Sequence, residues 1–310
     1  MVLSSLSSCQ FRAAVIAAML AIAPPAFAQS ETSDVGPSLE EWRKTTGIFR
    51  IGAVTRGDSL SAARVNELVL YLQRELSMPV DLFEARDATA MVDAIASGEI
   101  DYAVMSGLAF ATAQKLCGCV QAIASPTNAV GETHIETVLL APPNMADGVL
   151  IAGPAEDFAT GLVPAQALKS GTSFSLSTRP SIINADSLDD LFSVAAGDLR
   201  RPVFAWHYTR NAGSAVADGS SPKPDALAGA ILGVAPDHTI IWQSDTYRIG
   251  PHAIHESVPS EIGALLATAL SAMRRAAPLA FDSVSPGLSG DFVRATSADY
   301  ENYQIFLGAD

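Results

Sequence analysis

The stretch AVTRGDSLS, residues 53–61, contains Ser59 in a setting that raises the question of nucleophilic chemistry. A serine attacks an ester only when a histidine accepts its proton and a carboxylate orients that histidine. The same stretch follows the apolar run IFRIGAV. It therefore also fits the loop after a first strand, with Ser59 or Ser61 capping the next helix.

The histidines of the chain do not provide the base that an esterase needs. Esterases with the sequence Gly-Asp-Ser-Leu supply both base and carboxylate from an Asp-x-x-His segment. None of the five histidines has an aspartate three positions earlier: His134, His207, His238, His252 and His255. The Gly-x-Ser-x-Gly, His-Glu-x-x-His and P-loop motifs are absent too. We therefore expect no catalytic residue and no enzymatic activity, with an esterase of this type as a remote alternative.

Two cysteines separated by one glycine, Cys117 and Cys119, form another candidate group. Thiolate zinc sites need four ligands, and no second cysteine pair or nearby histidine accompanies these two residues. We expect no metal site here. The pair either forms a disulfide, as an oxidising compartment would allow, or stays reduced.

Residues 1–28 have the order of a secretory signal peptide: Arg12, the apolar run AAVIAAMLAIA, and the cleavage pattern Ala26-Phe27-Ala28. The apolar run is about half the roughly 20 residues that a membrane span requires. We expect a soluble periplasmic protein without stable membrane insertion after cleavage. The net charge of −14 argues against a nucleic-acid partner, because phosphates require lysine and arginine clusters that this chain lacks.

From Ile48 onward, strand-like runs alternate with amphipathic helical segments. The first half has predicted strands at 48–54, 79–83 and 100–105, and helices at 60–76, after Asp87, and from Ser106. The second half has candidate strands at 134–141, 172–177, 202–208, 226–234, 239–245 and 251–258, followed by a helix at 259–276. This alternation predicts α/β lobes with mostly parallel sheets flanked by helices.

Several of these segments together resemble a known family. FRIGAV, MPVDLF and GEIDYAVMSGLAFA, followed by FSLSTRPSI and FAWHYTRN, resemble the periplasmic substrate-binding proteins of phosphate, phosphite and phosphonate ABC transporters. The resemblance covers most of residues 48–276 and implies two type II periplasmic-binding-protein lobes with a ligand cleft between them. The implied boundaries are a signal peptide at 1–28, an N-terminal extension at 29–47, lobe one at 48–126 and 243–310, and lobe two at 127–242.

The resemblance implies that loops leading from strands into helices bind an oxyanion, since helix N-termini present free N–H groups and a positive dipole end. In lobe one, Ser106 opens such a helix, and Phe110 stands where a tyrosine hydroxyl is often found. In lobe two, the hydroxyls of Ser177, Thr178 and Ser181 precede the segment IINADSLDDLF and form the counterpart.

Four more residues complete the predicted ligand-binding set. His207 falls where the family places a histidine that contacts the oxyanion, and Asp225 falls near an acid that faces the ammonium group of amino-phosphonates. Thr55 and Arg56 follow the first predicted strand at the expected mouth of the cleft. The planar donor fork of Arg56 suits an anion.

Five of these residues also have a purely structural alternative. Ser106 and Thr178 could serve only as helix N-caps, and Asp225 only as a turn residue. His207 could be a buried histidine bonded to a carbonyl group, and Phe110 a core residue.

One departure from the family bears on the ligand. The family usually has Ser/Thr-Ser-Gly in the lobe-two loop, whereas this chain has Ser181-Ile182-Ile183, whose isoleucines offer no hydroxyl groups. A larger, less polar or differently charged ligand is therefore compatible with the sequence.

The function that the resemblance implies is capture of a small, anionic, phosphonate-, phosphite- or phosphate-like ligand for delivery to an ABC permease. No cofactor is implied. The alternative from another class is a periplasmic module that reports the ligand to a sensor kinase or another partner.

Overall fold

Two β-sheets flanked by helices form the part of the chain that the computed structural model describes. The described residues are 38–54, 62–143, 145, 148–172, 174, 180–197, 200–210, 226–285 and 287–308. Within these ranges, no helix combines the length and the apolar character needed to cross a membrane. The predicted two-lobe α/β class is confirmed.

The first sheet takes its strands from both ends of the described chain. The N-terminal elements are α1 (Leu39–Thr46), β1 (Phe49–Val54), α2 (Ala62–Leu76), β2 (Val80–Ala85), α3 (Ala88–Ala96), β3 (Tyr102–Val104), α4 (Gly107–Cys117) and β4 (Val120–Pro126). The returning elements are β10 (His252–His255), α8 (Ser260–Ala276), α9 (Pro278–Val284), β11 (Phe292–Arg294) and a 3₁₀ helix (Ser297–Phe306), called the C-terminal helix below.

Local sequence signals explain the first of these elements. The Asp87 carboxylate accepts a hydrogen bond from the Ala90 N–H at 2.8 Å and so caps α3. Along α2, Leu68, Leu72 and Leu76 recur at helical spacing, and all three side chains are buried. The predictions for these two helices are therefore confirmed.

The first sheet is mixed, whereas the sequence predicted a mostly parallel one. Its strand order is β11-β4-β10-β3-β1-β2. Strand β1 pairs in parallel with β2 and β3, but β10 runs antiparallel to both β3 and β4, and β11 runs antiparallel to β4. The physical reason is that β10 enters directly from the second sheet and not through a helical crossover, which parallel pairing would require.

The second sheet lies between β4 and β10 in the chain. Its elements are β5 (His134–Ala141), β6 (Val149–Ala152), a π-helix (Phe158–Leu162), α5 (Val163–Lys169), β7 (Ser181–Asn184), α6 (Leu188–Gly197), β8 (Val203–Thr209), α7 (Leu227–Val234) and β9 (Thr239–Arg248). The strand order is β7-β6-β8-β5-β9, with β5 antiparallel to both β8 and β9. Strand β6 runs parallel to both β7 and β8, so this sheet is mixed as well.

Residues 226–234, which were predicted as a strand, form helix α7 instead. The segment ALAGAILGV contains no polar residue, so its sequence has no period that would distinguish a helix from a strand. In the structure Ala228 and Ile231, three positions apart, are both fully buried on one side of the helix.

Two further details differ from the expectation. Ser181 begins strand β7, so it does not belong to a loop that leads straight into a helix. Strand β9 continues to Arg248 within the second sheet, past residue 243, where the return to lobe one was expected.

Helices cover both faces of each sheet. In the first lobe α2, α8 and α9 pack on one face, around Leu72 and Leu266, and α3, α4 and the C-terminal helix pack on the other, around Ile95. In the second lobe α6 and α7 cover one face and α5 the other. Each lobe therefore has an apolar core, and second-lobe residues such as Val163 and Tyr247 also join the cluster around Ile95.

Candidate functional site

Ser106 lies at the N-terminus of α4, directly after β3. Its hydroxyl oxygen accepts a hydrogen bond from the Ala109 N–H at 3.1 Å, and Ser106 is exposed, whereas Gly107 beside it is buried. The N-cap role is therefore present. The first N–H groups of a helix have no intrahelical acceptor and carry the positive end of the dipole, so this exposed end of α4 suits an oxyanion.

The N-terminus of α4 adjoins the segment that crosses from the second sheet back to the first. A Cβ atom placed on Gly250, in this crossing, would lie 2.1 Å from the carbonyl oxygen of Met105. Only glycine permits such a close approach. The C-terminal helix donates three hydrogen bonds to carbonyl groups of the same region: Asn302 to Thr246 at 2.7 Å, Tyr303 to Arg248 at 2.7 Å and Tyr300 to Ile249 at 2.8 Å.

Phe110 lies one turn into α4 and is 1% exposed. Its ring packs against the ring of Tyr300, with 5.1 Å between the ring centroids. The structure thus places this side chain in the core beneath the N-terminus of α4, in line with the structural alternative for this residue.

His207 lies on β8, directly opposite Glu136 on β5. Its Nε2 atom is 3.1 Å from the Glu136 carboxylate, at an angle outside hydrogen-bond geometry, and both side chains are less than 10% exposed. The Gln243 amide donates a hydrogen bond to the same carboxylate at 3.4 Å, and Nδ1 of His207 lies 3.1 Å from the Tyr208 carbonyl oxygen. A buried acid–base pair therefore occupies the predicted ligand position.

Glu136 was not identified from the sequence. The signal that could have found it is its position in the strand HIETVLLA, where a carboxylate stands next to a continuous apolar run. A charged side chain there must find a partner, because an isolated buried carboxylate is strongly unfavourable.

The other predicted residues are not brought together by the described structure. Ser181 is exposed at the start of β7 and donates its hydroxyl to the Gly148 carbonyl oxygen at 3.1 Å, and β6 lies between β7 and the strand of His207. The remaining predicted residues lie outside the described ranges: Thr55, Arg56, Ser177, Thr178 and Asp225.

Arg248, at the end of β9, is a cation that the sequence did not single out. Its guanidinium donates a hydrogen bond to the Arg294 carbonyl oxygen at 2.9 Å and lies 3.4 Å from the Asp299 carboxylate. Its buried Nε has no hydrogen-bond partner among the described residues. Burial, and then the charge of Arg248, lower the pKa of His134 on the neighbouring strand. Arg248 therefore brings a positive charge to the crossing beside α4, and the Asp299 carboxylate offsets part of it.

The cysteine pair is bridged: Cys117, the last residue of α4, forms a disulfide with Cys119. Among the described residues, no group of three or more histidine, cysteine, aspartate or glutamate side chains could hold a metal ion.

A cavity of about 610 Å³ lies on the first lobe among β4, α8 and the segment from Val293 to Ser297. Its lining includes none of the predicted site residues that the structure describes.

The chain is similar to known proteins in part of its sequence and in its fold. Residues 51–170 match the model of the family described as the periplasmic substrate-binding protein of phosphonate ABC transporters. No curated protein sequence matches the chain. XAC2383 of Xanthomonas citri bound to chloride ion is 12% identical with a TM-score of 0.54, covering 84% of this chain and 96% of that chain.

Two more solved structures have similar backbones. XAC2383 bound to ATP has a TM-score of 0.51 at 12% identity, covering 84% of this chain and 95% of that chain. The Mycoplasma hyorhinis protein Mh-p37 has a TM-score of 0.52 at 9% identity, covering 84% of this chain and 98% of that chain. At these identities the structures show the fold alone. Residues 51–170 thus carry the sequence pattern of the phosphonate-binding proteins of ABC transporters, and the described chain has the two-lobe fold of periplasmic binding proteins.

Proposed function

We propose that this protein is the exported solute-binding component of an ABC transporter. It captures a small anionic ligand of the phosphonate, phosphite or phosphate type between its lobes and delivers it to a permease. The observation that carries this proposal is the family match over residues 51–170, which includes the exposed N-terminus of α4. Export through the signal peptide at residues 1–28 is part of the same proposal.

The oxyanion is proposed to bind at the N-terminus of α4. Ser106 is exposed there, and the first N–H groups of a helix have no intrahelical acceptor, although that of Ala109 already donates to the Ser106 hydroxyl. The adjoining crossing contains the guanidinium group of Arg248, whose charge the Asp299 carboxylate at 3.4 Å offsets in part. A helix end and a guanidinium group are both common partners of phosphorus oxyanions.

His207 is less suited to hold the anion than the family resemblance implied. An oxyanion placed on Nε2 of His207 would also lie close to the Glu136 carboxylate, only 3.1 Å from that nitrogen. Two negative charges so close together repel strongly in a buried environment. We therefore propose that the ligand directs an uncharged or cationic part toward this pair.

Ligand binding is proposed to favour a closed arrangement of the lobes, because each lobe would supply part of the contacts. A ligand shifts such an equilibrium only by the difference between its affinities for the closed and open forms. Thr55, Arg56, Ser177, Thr178 and Asp225 remain predicted contributors to this cleft.

Thermal unfolding in the presence of small anions tests the proposal. Methylphosphonate, phosphite, phosphate and 2-aminoethylphosphonate are compared with sulfate and acetate. A true ligand at 100 times its Kd adds about 2.7 kcal/mol to the free energy of unfolding, which raises the melting temperature. If none of the four phosphorus compounds raises it, the assignment of the ligand class is wrong.

A pair of variants locates the site. Ser106→Ala removes the cap of α4 and the proposed hydroxyl contact, whereas Asp87→Ala removes the cap of α3 and an exposed ion pair with Arg86. Both variants should lose about 1 kcal/mol of stability. Only Ser106→Ala should also weaken ligand binding, measured by calorimetry. Equal affinities in the two variants would contradict a site at α4.

A further inference from the structure

Close contacts restrict the backbone conformation of the π-helix in the second lobe. Asp157 caps it by accepting hydrogen bonds from the Thr160 N–H at 2.8 Å and the Thr160 hydroxyl at 2.7 Å. A Cβ atom on Gly161 would lie 2.1 Å from the Pro154 carbonyl oxygen, and one on Gly153 would lie 1.9 Å from the Thr160 hydroxyl oxygen. π-Helical turns are rare and occur often at functional positions.

This turn presents the ring of Phe158 to the C-terminal helix. The centroid of the Phe158 ring lies 4.7 Å from that of Tyr303 and 5.0 Å from that of Phe306. On the side of the second sheet, the ring packs edge-on against Tyr247 at 4.9 Å. Phe158 therefore joins the second lobe to the C-terminal helix through aromatic contacts, which contribute beyond simple area burial.

The C-terminal helix is in turn packed on α4. The ring of Tyr303 covers Gly107, the first residue of α4, so closely that a Cβ atom there would be 2.2 Å from the ring. The Tyr303 hydroxyl donates to the Arg248 carbonyl oxygen at 2.7 Å, which fixes only the tip of the side chain. The ring is positioned by its neighbours, and Phe158 has the nearest ring centroid among those described.

We propose that Phe158 is a positioning residue for the N-terminus of α4. It holds the ring of Tyr303 against Gly107 and thereby fixes the turn in which Ser106 caps the helix. Because Phe158 belongs to the π-helix of the second lobe and Gly107 to α4 of the first, the contact couples the arrangement of the lobes to the geometry of the anion site. The part of this inference that concerns ligand rests on the proposed function.

The packing of the helix end can be tested without any ligand. The Ala109 and Phe110 amides donate to the Ser106 hydroxyl and carbonyl oxygens, so their hydrogen exchange reports on the capped turn. Phe158→Ala should accelerate exchange at these two amides at least tenfold. Phe192→Ala, which removes a half-buried ring from α6 in the same lobe, is the matched control and should leave them unchanged.

Rescue distinguishes positioning from a general loss of stability. Phe158→Tyr keeps the ring and should restore slow exchange at both amides. If Phe158→Ala leaves the exchange of Ala109 and Phe110 the same as in Phe192→Ala, or if Phe158→Tyr exchanges as fast as Phe158→Ala, the inference is overturned.

Affinity for a defined probe tests the ligand part separately. Titration with methylphosphonate and phosphate should give a Kd about tenfold higher for Phe158→Ala than for the wild type, with Phe192→Ala close to the wild type. An unchanged Kd in Phe158→Ala would overturn the coupling of Phe158 to the anion site. A wild-type protein that binds neither probe would contradict the proposed ligand class, and the exchange rates of Ala109 and Phe110 would then decide the positioning role of Phe158 alone.

Discussion

The carboxylate of Glu136 lies 3.1 Å from Nε2 of His207, and water reaches neither side chain to any large extent. The two residues face each other across β5 and β8. A buried polar group that water does not reach depends on its protein partners. The substitutions tolerated at either residue therefore depend on the side chain present at the other.

A double-mutant cycle on this pair should show strong coupling. His207→Ala leaves the carboxylate buried without its neighbour and should cost about 3 kcal/mol of stability. Glu136→Gln keeps the size of the side chain and should cost about 1 kcal/mol. In urea denaturation the double variant should lose clearly less than the sum of the two. Additivity within about 0.5 kcal/mol would show that the pair is not coupled.

The second prediction concerns acid stability. His252 is fully buried beside the Tyr102 hydroxyl, and burial lowers its pKa from 6.5 to about 3. The folded state thus favours the neutral ring, so the stability that His252 contributes is complete above pH 6.5 and is lost as the pH falls toward 3.

The pH dependence can be assigned to His252 by substitution. Below about pH 6 the wild type should lose up to about 1.4 kcal/mol per pH unit from this one group. His252→Gln removes the titration and keeps polar atoms near Tyr102. Its free energy of unfolding, measured from pH 7 to pH 4, should fall less steeply than that of the wild type. Parallel curves would rule out His252 as the source.

The third prediction compares two glycines in helices. At Gly107 an added Cβ atom would lie 2.2 Å from the buried Tyr303 ring, whereas at Gly233 in α7 it would meet no atom within 4 Å. Gly107→Ala should therefore cost about 1–3 kcal/mol through overpacking, and Gly233→Ala should add about 0.5–1 kcal/mol through helix propensity. Thermal and urea unfolding measure both. A neutral Gly107→Ala would mean that Tyr303 does not pack on α4 as described.

The fourth prediction concerns the Cys117–Cys119 disulfide. A bridge that closes such a short loop restricts the unfolded chain only slightly, so its removal in Cys117→Ser/Cys119→Ser should cost about 1–2 kcal/mol. Alkylation of the denatured protein without a reductant should leave both sulfurs unlabelled. Labelling of either one would show that the bridge does not form.

The helices around the candidate site could be predicted because their signals are local. Asp87 and Ser106 both cap the helices that follow them, as the sequence indicated. Leu265 shows the limit of such patterns: its spacing from Ile262 matches the apolar stripe of α8, yet it is 39% exposed, while Ile262 and Leu266 are fully buried. Whether a residue at the margin of an apolar stripe is buried depends on the neighbouring element.

The residues that pack against the candidate site could not be predicted, because they come from distant parts of the chain. Tyr303 reaches Gly107 across almost 200 residues, and no local pattern marks this contact. The pairing of Glu136 with His207 depends on the register of two strands, which one sequence does not reveal. The antiparallel entry of β10 likewise follows from topology and not from composition.

The position of β10 between β3 and β4 sets an order in which the two lobes can be completed. The second sheet is formed by one continuous stretch of chain, from His134 to Arg248. All its strands can therefore pair as soon as this stretch has been synthesised. The first sheet lacks its strand β10, which lies between β3 and β4, until residues 252–255 have been synthesised. We expect the inserted lobe to reach its native pairing first, and the lobe that contains the N-terminus of α4 to mature last.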